Sequence, residues 1–411
     1  MQKEKRFIPK IRFPHFEGEW QLKKLGKIAE KVGSGSTPKG GIEVYKDFGI
    51  PFIRSQNVFD EQLHLDETHI PETIHRKMLG SKVLPNDILL NITGGSIGRS
   101  CVVPSTFKVG NVNQHVSIIR LTKHNPHFLQ AILSSERGQK LVYQGMTGSG
   151  REGLNFQSIR NFKIILPQSN EQQKIANFLT NIDTRRQSLE KKKNLLEQYK
   201  KGVMQQIFKQ EIRFKDESGH AFPKWEKRKF SEVLFEHKLK STGNEEVHSV
   251  SVHKGVINQI EHLGRSFSAK NTDHYSRVLA NDIIYTKSPT GDFPLGIIKQ
   301  SHINEDVIVS PLYGVFTPET KELGYILHVY FESPINTSNY LSSIIQKGAK
   351  NTINITNNTF LSKRMLLPVS KEEQSKIANF LSAIDKKIEL VNEQIEKTKT
   401  YKKGLLQQMF V

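Results

Sequence analysis

The chain carries the same text twice. "KIANFLTNID" at 174–183 returns as "KIANFLSAID" at 376–385, and "YKKGVMQQIF" at 199–208 returns as "YKKGLLQQMF" at 401–410. Both pairs are offset by 202 positions in a chain of 411, so nothing is inserted between the matched blocks. A repeat at half the chain length implies two like structural units, and it restricts the fold more than composition can.

Upstream, "LPQSNEQQKI" at 166–175 corresponds to "LPVSKEEQSKI" at 367–377, with one extra residue in the second copy. Each unit opens on Leu-Pro, passes through a polar Glu/Gln stretch and then becomes periodic. In the second copy Ile377, Leu381, Ile384, Ile388, Val391, Ile395, Leu405 and Met409 fall on steps of four and three, the seam of a coiled coil. In the first, Ile175, Ile182, Leu189, Leu196 and Val203 recur every seven residues. The companion seam position there reads Leu179, Arg186, Lys193, Lys200, Ile207, so its middle is basic. Pro167 and Pro368 stand just before the helices, where proline is tolerated. Roughly 38 residues make a helix ~57 Å long. A stripe this narrow needs a partner helix, and the other copy is the expected one, antiparallel and related by pseudo-twofold symmetry, with one globule at the start of each helix.

The segments before the helices share a layout. "EWQLKKLGKI" at 19–28 resembles "KWEKRKFSEV" at 224–233 and holds one of the two tryptophans, Trp20; the other, Trp225, is in its counterpart. "PNDILLNITGGSIGRS" at 85–100 parallels "ANDIIYTKSPTGDFPLG" at 280–296, each with Asn-Asp before an apolar run and then a glycine-marked turn. Segments 127–142 and 323–345 read as helical. "GSGREGLNF" at 148–156 and "GAKNTINIT" at 348–356 read as exposed polar loops before a last short strand. Each half is thus an α/β globule followed by a long helix.

Sixty Lys+Arg against forty-one Asp+Glu give a net charge of +19, spread along the chain, which calls for a polyanionic partner, nucleic acid first. One cysteine, Cys101, excludes an internal disulfide and a Cys-rich zinc site. No run approaches the ~20 apolar residues of a membrane helix, and "MQKEKRFIPK" leads into no apolar stretch. The expected location is cytoplasmic.

With its duplicated "LPxxxEQxKIAxFL" and "KKGLxQQxF" signatures, the chain resembles the specificity (S) subunits of type I restriction–modification systems over essentially its whole length. "GSGSTPKGG" at 33–41 is similar to an early turn of their recognition domains, and "SVHKGVI" at 251–257 to the entry of another class of them. The resemblance implies an α+β fold: two α/β target-recognition domains with twisted, mostly-β cores, joined by two long antiparallel coiled-coil helices with pseudo-twofold symmetry. The implied bounds are 1–166 and 211–367 for the domains, and 167–210 and 368–411 for the spacer helices. It implies a bipartite, asymmetric double-stranded DNA target with one half-site per domain. Two modification (methyltransferase) subunits would dock on the helical spacer, and restriction (motor/nuclease) subunits would join them. S-adenosylmethionine, ATP and Mg would belong to those partners, and no cofactor to this chain.

The residues offer no catalytic alternative with a recognisable motif. There is no Asn/Asp-Pro-Pro-aromatic loop for an amino-methyltransferase, and neither glycine-rich turn ends in the Gly-Lys-Ser/Thr of a nucleotide loop. "HIPETIH" at 69–75 lacks recognised metal-ligand spacing, and Cys101, in "SCVVP", reads as a buried structural thiol. Catalytic and metal-binding residues are therefore expected to be absent. The competing classes are a stand-alone DNA-modifying or DNA-cleaving enzyme with unrecognised motifs, and a non-catalytic coiled-coil scaffold.

Bases are read by side chains with paired donors and acceptors, while Lys and Arg hold phosphates. In the first domain that selects Ser34, Ser36, Thr37 and Lys39, then Arg54, Gln56 and Asn57 of "FIRSQN", Thr93, Asn113 and Gln114, and Ser149 and Arg151. In the second it selects Lys254, Asn258, Lys287, Ser288, Lys350, Asn351 and Thr352. "RSQN" has no counterpart in the second half and "KSPTG" replaces "TGGSIG", so the half-sites should differ. The basic run at 185–201 reads either as a solvated helix face or as a surface towards the DNA spacer or acidic patches of a partner.

Overall fold

The computed structural model describes residues 6–148, 152–265, 271–347 and 353–411. The chain divides into two compact units, Met1–Lys192 with Val391–Val411, and Lys193–Leu390.

In the first unit a four-stranded antiparallel sheet runs in the order Ala29–Ser34, Val116–Leu121, Ile88–Asn91, Ser100–Val102. A second sheet holds His69–Ile70, Ile50–Ile53, Gly110–Val112 and Lys82–Val83, with the middle two strands parallel. Val116, Ile118, Leu89 and Cys101 pack with Ile53, Val83 and Val112 in one apolar cluster, while Ile88, Leu90 and Ile119 join a larger cluster with the helix residues Phe128, Leu129 and Ile132. The strand Ile88–Asn91 is buried on both faces, as its unbroken apolar run requires.

The second unit repeats the sheet order with Leu234–Phe235, Gly314–Pro318, Ile283–Tyr285 and Ile298–Gln300. The Asn-Asp pairs explain why the central strands begin alike. Asn86 and Asn281 take a left-handed backbone, with φ of 67° and 69°, a conformation asparagine tolerates. The next residues, Asp87 and Asp282, are buried. Their Oδ2 atoms accept the main-chain N–H groups of Leu84 and Leu279 at 2.7 and 2.8 Å. The Leu-Pro signature also has a structural meaning. Leu166 pairs with Gln21, and Leu367 with Glu226, so the first and last strands of each globule close on one another just before the helix.

Each segment read as helical proves to be two helices. Pro126–Ser134 breaks into Glu136–Gly145 at Ser135, and Lys321–Phe331 into Pro334–Leu341 at Ser333. The serine hydroxyls accept the N–H groups of Gly138 and Asn336 and so cap the new helices. At Gly138 a Cβ would lie 2.0 Å from the Ile132 carbonyl oxygen, so only glycine fits.

The long helices run Ser169–Phe208 and Lys371–Met409. In the first unit Ile175, Ala176 and Leu179 share a core with Leu405, Leu406 and Met409; in the second, Ile377 and Leu381 share one with Val203, Met204 and Ile207. Each helix start thus meets the other helix's end, as antiparallel pairing requires, and Trp20 and Trp225 sit in these two cores. Two of the three basic seam positions, Arg186 and Lys200, are buried against acids. Lys200 reaches Glu332 and Asp385, both at 2.7 Å. Its repeat counterpart Lys402 reaches Asp183 at 2.6 Å and also Glu61, and Arg186 pairs with Asp60 and Glu190. Within the basic run, then, Arg186 and Lys200 hold internal acids, whereas Lys191 and Lys192 are exposed.

Candidate nucleic-acid interface

In the first unit the sheet directions gather four loops at one edge. Ser34 pairs with Ser117, and Asn91 with Val116, so the chain leaving Ser34, the chain leaving Asn91 and the chain entering Val116 meet there. Main-chain bonds lock them together. Gly35 N–H donates to Asn113 O at 3.2 Å, Asn113 N–H to Ile53 O at 3.0 Å, and Ile92 N–H to His115 O at 3.0 Å. A Cβ at Gly35 would lie 1.7 Å from the Val112 carbonyl oxygen, which makes that glycine a condition of the crossing.

Side chains continue the network. Thr37 Oγ1 donates to Gln114 Oε1 at 2.6 Å, Gln114 Nε2 lies 3.1 Å from His115 Nε2, and His115 Nδ1 lies 2.6 Å from Thr93 Oγ1. Asn91 Nδ2 donates to Ser55 O at 2.8 Å and ties in the loop that follows Ile53. Ser36, Thr37, Lys39, Gln56 and Gln114 are exposed, and Ser34, Arg54 and Thr93 are half-buried. Asn57 and Asn113 are buried and shape the loops. Asn57 bonds the His64 carbonyl oxygen and Asp66, and Asn113 Oδ1 accepts the His115 N–H.

Arg54 is held as well. Its Nη2 lies 2.8 Å from both Asp66 Oδ2 and Thr68 Oγ1, and Gln56 Nε2 donates to the same Asp66 oxygen at 3.1 Å. Burial works against the Asp66 charge, but hydrogen bonds from Thr68, Asn57 and Arg54 outweigh it and hold the carboxyl well below the usual carboxylate range. Asp66 is thus an ionised anchor that orients an arginine, a glutamine and an asparagine. Sequence reading missed Asp66, Thr68 and His115; only the adjacency of His115 to Gln114 could have pointed to one of them.

In the second unit Tyr285 pairs with Gly314, so Lys287 and Ser288 leave the sheet at the edge where residues 310–313 enter it. Val247 bridges Ile308 in parallel, which brings the turn carrying Lys254 to the same edge. Lys254 and Ser288 are exposed. Lys287, with φ of 53°, is half-buried; burial lowers its pKa and Glu236 opposes that. Asn258 lies at the other end of its hairpin. It caps the helix Gln259–Leu263 and bonds Glu246 at 2.9 Å. Ser149, Arg151, Lys350, Asn351 and Thr352 lie outside the described residues.

Among the described residues no group of three or more His, Cys, Asp or Glu side chains could hold a metal ion, and no helix is long and apolar enough to cross a membrane. Cys101 is buried, which pushes its thiol up to about 12.

The family model described as the type I restriction modification DNA specificity domain matches this chain twice, over residues 17–198 and 225–400. The chain belongs to that family. Among relatives of this specificity-domain protein, one assigned as the specificity subunit of the type I restriction enzyme MjaX from Methanocaldococcus jannaschii is 23% identical over 405 residues, covering 93% of this chain and 91% of that protein. The EcoR124I/EcoR124II specificity subunit of Escherichia coli is 25% identical over 177 residues, 41% of this chain and 42% of its own length. Among solved structures, the type I S subunit from M. genitalium superposes with a TM-score of 0.60 over 98% of this chain and 99% of that one; at 13% identity the likeness is one of fold. The two model matches fall on the two globule-plus-helix repeats, so the family's domain is the repeat read from the sequence.

Proposed function

We propose that this chain is the DNA-reading, non-catalytic subunit of a type I restriction–modification complex, each of its two globules reading one half-site of a bipartite, asymmetric target. The observation that carries the reading is the convergence in the first globule of four polar loops on one edge, with Thr37, Gln56 and Gln114 exposed yet held in defined orientations. Orientation of this kind favours reading of base edges, while Lys39, Lys254 and Ser288 contact phosphates.

In this reading residues 1–166 and 211–367 are the target-recognition domains. Residues 167–210 and 368–411, whose signatures repeat, dock two modification subunits, and restriction subunits join that complex. The partners bring S-adenosylmethionine, ATP and Mg. The unlike loops "RSQN" and "KSPTG" give unlike half-sites, spaced by about one helical turn of DNA or a multiple of it.

The test is a map of methylated adenines in the host genome with and without the gene. Deletion should erase one bipartite, asymmetric motif. An unchanged map overturns the proposal.

A further inference from the structure

We infer that Gln114 reads an adenine in the major groove, its amide held in reading orientation by Thr37 and His115. The inference rests on the proposal that the first globule reads a half-site.

The backbone comes first. Asn113 is buried, and its Oδ1 accepts the His115 N–H at 3.0 Å, forming a side-chain turn with Gln114 at the apex. Gly35 and Ile53 fix the same residue through its main chain. Gln114 is therefore an exposed side chain on a rigid tip.

Its amide is then fixed at both ends. Thr37 Oγ1 donates to Oε1 at 2.6 Å, and Nε2 donates to His115 Nε2 at 3.1 Å. That assignment makes His115 Nε2 the acceptor, so the ring proton sits on Nδ1 and is donated to Thr93 Oγ1 at 2.6 Å. A primary amide has two N–H donors and two acceptor lone pairs. Each contact uses one, leaving one donor and one acceptor of the amide outside these two bonds. In the major groove adenine presents an N6 donor beside an N7 acceptor, the complementary pair. Guanine presents two acceptors, so one would face the amide oxygen. Thymine offers one acceptor beside a methyl group, and cytosine one donor. Because folding has already restricted the glutamine rotamer, docking forfeits little further side-chain freedom.

The experiment selects binding sites from a random-sequence duplex library, using the full chain with the subunits it retains on purification. Wild type should require adenine at one fixed position of one half-site. Gln114→Ala should relax that position alone, with a loss of about 5- to 150-fold in discrimination and an unchanged melting temperature. Placing 7-deazaadenine there removes the N7 acceptor. It should weaken wild type by a similar factor and leave Gln114→Ala unaffected. Thr37→Val and His115→Phe, which free the amide but keep it, should relax the same position part-way. The inference is overturned if Gln114→Ala leaves every position unchanged, or relaxes one that is not adenine. If replacing Arg54–Asn57 with a glycine-serine loop also leaves both half-sites intact, the wider reading of the first globule fails with it; if that replacement does alter a half-site, only the Gln114 assignment fails.

Discussion

Replacing Lys200 with alanine should destabilise the second unit by about 2 kcal/mol. The ammonium group lies 2.7 Å from Glu332 Oε2 and from Asp385 Oδ1, and the lysine side chain is only 10% exposed. Burial works against its charge, but Glu332 and Asp385 outweigh it and raise its pKa. Breaking a fully buried pair costs roughly 3–5 kcal/mol. Here the acids are 36% and 37% exposed, so water takes up part of the stranded charge and the upper half of that range does not apply. Lys299, 3.6 Å from Glu332 Oε1, supplies partial compensation. For a unit of this size, 2 kcal/mol corresponds to a fall of about 4–8 °C in Tm.

Fluorescence-detected melting in a Trp20→Phe background reports on this unit, because Trp225 lies in the same core as Val203, Ile377 and Leu381. The deciding comparison is Lys200→Ala made on top of Glu332→Gln and Asp385→Asn. With the acids neutral, the lysine should cost less than about 1 kcal/mol to remove. An equal loss in both backgrounds would mean that Lys200 acts through its packed stem, and the electrostatic argument would be wrong.

Burial pushes His328 down to about 4, with Glu332 opposing and Lys299 and His302 adding to it. The unfolded chain therefore binds the extra proton, and the second unit should lose up to ~3 kcal/mol as pH falls from about 6.5 to 4; His328→Gln should flatten that slope in pH-dependent denaturant melts. Cys101 should resist a thiol reagent in the native protein and react after unfolding, and rapid native labelling would contradict its burial. Alanine at Lys191, Lys192 and Lys193 should weaken duplex binding and reduce its salt dependence with half-site preferences intact, as scored by binding titrations at several ionic strengths. A heptad inserted into or deleted from either long helix should change the gap in the target and not its half-sites. Methylome mapping would refute the spacer role if the half-sites themselves changed.

The helices were legible because a heptad seam and a duplicated text are both local signals. The Asn-Asp turns were legible for a similar reason: a left-handed residue followed by a capping aspartate is written in consecutive letters. The breaks at Ser135 and Ser333 are also written locally, in the polar run 134–140 and in Pro334 directly after Ser333, but the apolar residues on either side make each segment look like one helix. The loops were legible as a set and opaque one by one. Asn57 and Gln56 are neighbours of like chemistry, yet one is buried holding the His64 carbonyl and the other is exposed. Both bond Asp66, and what separates them is the additional bond of Asn57 to the His64 carbonyl oxygen, seven residues along the chain, which nothing local assigns to either. Likewise the basic seam gave no hint of Asp60, Glu61 and Glu332, because these acids come from a hairpin tip and a helix end far away in the sequence.

The acids at 60 and 61 bear on how freely such a protein can exchange its parts. They form the tip of the hairpin Val58–Leu63, both at positive φ, and the hairpin follows directly on Arg54–Asn57. One carboxylate meets Arg186 and the other Lys402, cations buried on the two long helices. A foreign domain grafted in place of residues 1–166 keeps both cations fully paired only if it brings its own pair of acids to that spot. A donor lacking them would leave Arg186 with Glu190 alone and Lys402 with Asp183 alone, so interchangeability is graded by a two-letter password outside the candidate base-contacting residues.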